Sequence, residues 1–67
     1  MREQIMAVIE NTEHPMRPRD IAQKIHKWVC EVAIECSAMA DEGLITRQTH
    51  HDTANMEFYN LYGKKAV

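Results

Sequence analysis

Apolar residues recur along the chain at helical spacing three times, and then the pattern shifts toward strand-like segments. Ile5, Val8 and Ile9 share one face, with Met6 and Met1 beside it, while Arg2, Glu3, Gln4, Ala7 and Glu10 fall away. That spacing predicts a first helix over residues 2–11. The run Asn11-Thr12-Glu13-His14-Pro15 breaks the periodicity, since Asn11 can end a helix and Pro15 prevents a restart through itself. Met16 is expected to be extended and to pair with a later hairpin. Arg17 precedes Pro18 and is kept out of the helical region. Pro18 suits the first turn of a second helix, and Asp20 complements its exposed amides. Ile21, Ala22 and Ile25 supply a short stripe, so this helix runs from residue 18 to about 25 or 26.

No Gly or Pro follows His26, which leaves the next turn weakly specified by local chemistry. Val29, Val32, Cys36 and Met39 then mark one face of a third helix, extended by Ala40, with Glu31, Glu35, Ala38 and Asp41 facing away. Gly43 is a natural stop because it takes the left-handed conformation freely. Residues 44–49 read as a strand rich in Thr and Ile, 50–55 as a polar hairpin loop and 56–62 as the return strand. Tyr59 and Leu61 are the expected inward pair of that strand, although Phe58 favours the opposite phase. The predicted class is therefore α+β: three helices, a C-terminal two-stranded hairpin and a short strand near Met16. Residues 1–62 form one domain, and residues 63–67 read as a flexible tail. No repeat or low-complexity segment interrupts it.

Size and charge narrow the function more than they narrow the fold. With 67 residues the chain makes one small domain with little room for a deep pocket, which favours a binding module over an enzyme. No phosphate loop, nucleophile elbow or metal signature is present, so no catalytic residue, cofactor or metal is assigned. Eight Lys+Arg against ten Asp+Glu leave a net charge of −2, so nucleic-acid binding would rest on a local cluster of cations. Cys30 and Cys36 lie on different faces of one helix, where a disulfide would strain it. Two unpaired thiols and no secretory or membrane-spanning segment read as a reduced, cytoplasmic protein.

The stretch from Asp20 to Ile45 carries a resemblance. Asp20-Ile21-Ala22, then Ile25, and later Gly43-Leu44-Ile45 stand at the separations typical of winged helix-turn-helix transcriptional regulators of bacteria and phages. Arg19-Asp20-Ile21-Ala22 in particular is similar to the small fimbrial-operon regulators. Arg2-Glu3-Gln4-Ile5 and Tyr59-Asn60-Leu61 extend the match over nearly the whole chain. The resemblance implies a winged-helix fold and a DNA-binding regulator. It departs from the family at the turn, where Gly-Val-Ser is usual and His26-Lys27-Trp28 stands here. The serine that would cap the third helix is thus missing, at a cost of about 1 kcal/mol.

Under the DNA reading, Arg17, Arg19, Lys24, Lys27 and Arg47 hold phosphates of double-stranded DNA, with the hairpin histidines His50 and His51 assisting. The family positions that look into the major groove fall on Val29, Cys30, Ala33, Ile34 and Ser37, with Glu31 and Glu35 alongside. None of these makes a bidentate base contact, and the two glutamates oppose a polyanion. The alternative is therefore a protein-interaction module, an adaptor or inhibitor. It would present Trp28, Cys30, Glu31, Ile34 and Glu35 to a protein partner or to a second copy in a homodimer. Trp28 either packs over the second helix or stands out as an anchor. Ile34 either covers the first helix or faces outward.

Overall fold

The computed structural model describes residues 1–65. It contains α1 (Arg2–Glu10), α2 (Pro18–Ile25), α3 (Val29–Asp41), β1 (Ile45–Asp52) and β2 (Glu57–Lys64). Three helices and one antiparallel two-stranded sheet make an α+β domain, in the element order that the periodicity predicts.

Local chemistry explains most of the boundaries. Asn11 ends α1, and its side-chain amide donates to the Ala7 carbonyl at 2.8 Å. Arg17 is extended at φ −76°, ψ 151°, as a residue before proline should be, and Pro18 opens α2. The α2–α3 turn is closed by His26 in the left-handed conformation, at φ 58°. A non-glycine residue there costs roughly 1 kcal/mol, so packing of the flanking helices holds the turn. The C-terminus of α3 is better specified. Gly43 sits at φ 81°, its amide donates to the Ala40 carbonyl, and the Leu44 amide donates to the Met39 carbonyl, both at 3.0 Å. These two bonds form a Schellman motif around the glycine.

The core joins all five elements. Ile5 and Ile9 of α1, Ile21 and Ala22 of α2, Val32, Cys36 and Met39 of α3, and Ile45 and Tyr62 of the sheet are buried together with Met16. Val29, placed by periodicity in the same α3 stripe, is half exposed and lies outside the core cluster. Met16 meets the sheet as expected: its amide and carbonyl each bond Tyr62 at 2.8 Å, adding a one-residue bridge to the outer side of β2.

The hairpin differs from its sequence reading in length and phase. His50, His51 and Asp52 belong to β1, and the turn occupies residues 53–56. Asp52 holds that turn, accepting from the Ala54 amide at 3.1 Å and the Asn55 side chain at 2.8 Å. Met56 starts no strand; it lies in the turn at φ 52°. The register pairs Ile45 with Lys64 and Asp52 with Glu57. Gly63 and Lys64, assigned from sequence to the tail, are strand residues, and Gly63 is buried. The tail's last two positions, Ala66 and Val67, lie outside the described residues. Directly paired residues share a sheet face. Tyr62 is buried with Ile45, so the inward phase runs through Phe58, Asn60 and Tyr62 and not through Tyr59 and Leu61. The Met16–Tyr62 bridge sets this phase, an interaction that alternation along β2 does not reveal.

Candidate functional site

The α3 helix divides its polar and apolar positions into two flanks. Successive residues are turned by about 100°, so Glu31, Glu35 and Glu42 align along one side. That side faces α1. Arg2 donates from Nε to Glu35 and from a terminal nitrogen to Glu42, the latter at 2.5 Å. The hydrogen bond from Arg2 holds the Glu42 carboxyl below its usual range, and the two carboxylates push the Arg2 guanidinium above its own. Glu35 is therefore not part of an outward-presented acidic face, as the sequence reading had it. It is tied back to the first helix. Glu31 remains exposed on the same flank.

The opposite flank borders a groove of about 490 Å³ between α3 and the hairpin. Val29, Ala33, Ile34 and Ser37 form its helix wall, and Phe58, Asn60 and Tyr62 form the sheet wall. The start of α2 closes one side through Arg17, Pro18 and Arg19. Two arginines line this groove and no carboxylate does, in a chain whose acids outnumber its bases. Ile34 is 71% exposed and Phe58 72%, so neither covers α1 or fills the core. Trp28 is 76% exposed and makes no capping hydrogen bond at the start of α3. The reading in which it packs over α2 is excluded.

The cations proposed from sequence are distributed unevenly around this groove. Arg19 and Lys27 are exposed. Arg17 stacks on the Tyr59 ring, with its guanidinium carbon 4.3 Å from the ring centre. That distance is within the range of a cation–π contact. Lys24 borders a separate depression with Ala7, Val8, Asn11 and Thr12, on the α1 side, so it does not join the others. Arg47 is committed to the fold: it donates to Asp41 at 2.7 Å and to Ser37 Oγ at 3.1 Å. Asp41 is the main reason the Arg47 guanidinium is raised above its ordinary range.

His50 and His51 are sequence neighbours on opposite sheet faces. His50 stacks on Tyr59 at 5.6 Å between ring centres, on the face that also receives Arg17. His51 meets Phe58 edge-on at 4.6 Å, on the face toward α3. Each is a direct cross-strand pair. Among the described residues no three His, Cys, Asp or Glu side chains converge on a point that would hold a metal ion. Both cysteines are free. Cys30 is exposed, while Cys36 is in the core, where burial pushes its thiol up to about 11.

Four participants have roles that the sequence does not predict: Arg2, Glu42, Asp41 and Tyr59. Glu35 and Glu42 are seven residues apart and so share a helix face, a signal for a common basic partner; Arg2 as that partner was not foreseen. Asp41 as the partner of Arg47 carried no local signal. Tyr59, expected inside, instead forms the outer stack with Arg17 and His50.

No family model, curated protein or solved structure matches this chain. Among the described residues, no helix is long and apolar enough to cross a membrane.

Proposed function

We propose that this domain is a winged helix-turn-helix module of the bacterial or phage regulator type. It binds double-stranded DNA in the cytoplasm through the groove between α3 and the hairpin, and it is not an enzyme. In this reading α2 and α3 are the helix-turn-helix and the β1–β2 hairpin is the wing. The observation that carries the reading is the charge layout: Arg17 and Arg19 line the groove without a carboxylate, while Glu35 and Glu42 are bound to Arg2 on the far flank. Arg2 offsets one of the two carboxylates it holds, so the charge objection raised by the glutamates of this flank is reduced by one charge and does not vanish. Arg17, Arg19 and Lys27 are the phosphate contacts; Arg47 and Lys24 are positioned for the fold and for another surface.

A titration with nonspecific duplex at two salt concentrations, followed by amide shifts, tests it. Three phosphate contacts give a slope of log K against log salt of about −2.7. Shifts should centre on Arg19, Lys27, Val29, Ala33 and Ile34. Absence of binding at low salt overturns the reading, since the phosphate contribution is largest there.

One observation favours a second reading, the protein-interaction module. Trp28, Ile34 and Phe58 are each more than two-thirds exposed, and exposed large apolar groups of this kind anchor protein interfaces. The partner surface would then comprise Trp28, Cys30, Ile34 and Glu31, without Glu35. Self-association would appear as a mass that rises with concentration in sedimentation. A mass constant at one chain, together with salt-dependent DNA binding, leaves the first reading standing.

A further inference from the structure

The face of α3 that borders the groove is unusual for a base-reading helix. The helix sequence Val29–Asp41 contains no Arg, Lys, Asn, Gln or His. Hydrogen-bonded pairs to guanine or adenine edges therefore cannot form from it, because they need a side chain with two suitably spaced donors or acceptors. What the face offers is hydrocarbon: Ile34, largely exposed, and Val29, half exposed, with the small Ala33 between them allowing close approach. The apolar group on a base edge in the major groove is the 5-methyl of thymine. The electrostatics favour a polyanion of any sequence, since Arg17 and Arg19 line the groove without an opposing carboxylate.

We infer that the site selects duplex DNA rich in thymine methyl groups, read by apolar contact through Val29 and Ile34. This rests on the DNA reading above. Discrimination then comes from methyl burial, while the arginines and Lys27 set a sequence-independent baseline. Burying one methyl is worth about fourfold in affinity, so two give about fifteenfold.

The test uses the full chain and two A·T-rich duplexes of one sequence. One carries thymine and the other deoxyuridine, which lacks only the methyl. Fluorescence anisotropy at low salt should show the thymine duplex binding about four- to fifteenfold tighter. A G·C-rich duplex should gain affinity when its cytosines carry the same 5-methyl group. Ile34→Ala, at an exposed position that does not support the core, should reduce the ratio of thymine to deoxyuridine affinity by about fourfold. Equal affinity for the thymine and deoxyuridine duplexes overturns the inference while leaving DNA binding intact. A preference that persists undiminished in a Val29→Ala, Ile34→Ala double variant also overturns it, because the methyls would then act through duplex shape. No binding to any duplex at low salt overturns both this inference and the reading beneath it.

Discussion

Trp28→Ser should make the domain more stable, which is an uncommon expectation for the loss of a lone tryptophan. Trp28 has the extended backbone of an N-cap residue, at φ −69°, ψ 137°, yet its side chain caps nothing. A serine in that conformation can accept from an amide in the first turn of α3. Glu31 stands three residues on and can reach back to the amide of the capping position, completing a capping box. The cap contributes about 1 kcal/mol. The loss on the other side is small: at 76% exposure the indole hides no more surface than a realistic unfolded chain would hide. For a domain of this size, 1 kcal/mol raises the Tm by about 4–8 °C. Thermal melts followed by circular dichroism at micromolar concentration measure it, with Trp28→Ala as the control that removes the indole without supplying an acceptor. The serine variant should melt above the alanine variant by most of that interval. If both variants melt well below the parent chain, Trp28 is buried in solution and the reasoning fails. If serine and alanine melt together, no cap forms.

The other expectations concern the core, the thiols and acid. Met39→Ala removes a fully buried side chain shared by α3 and the rest of the core. It should cost about 2–5 kcal/mol and leave much of this small domain unfolded at ambient temperature, as seen in urea titrations. Cys30 should react with a thiol reagent in the native state, whereas Cys36, buried and with its thiol pushed up to about 11, should react only on opening; two equally fast thiols would contradict this core assignment. Asp52 is held below its ordinary value of 3.8, first by the Asn55 side chain, and Glu42 below 4.5 by Arg2. A depressed carboxyl contributes stability that is present above the unfolded value and lost as pH falls through the folded one. Stability should therefore decline below about pH 4.5, and Asp52→Asn should flatten the lower part of that decline in acid titrations followed by circular dichroism. A curve of unchanged steepness would speak against the turn contacts of Asp52.

What could be read from the chain alone was whatever depends on near neighbours. Ile5 and Ile9, Ile21 and Ala22, and Val32, Cys36 and Met39 announce their buried faces by spacing, because a helix repeats its own geometry regardless of what it packs against. Pro18 and Gly43 mark ends for equally local reasons. The missing cap at Trp28 was legible in the same way. The charge layout and the sheet phase were not. Arg2 meets Glu35 and Glu42 across 33 and 40 residues, and Arg47 meets Asp41 across a helix end. Only the placement of α1 against α3 decides that the acids turn inward to Arg2 and that Val29 and Ile34 border the groove. Likewise, alternation in β2 allows either Tyr59 or Tyr62 inside, and the bridge to Met16 selects Tyr62. Periodicity thus determined which residues share a face. Packing between distant segments determined which face meets the core, which meets a counter-charge, and which is left for a ligand.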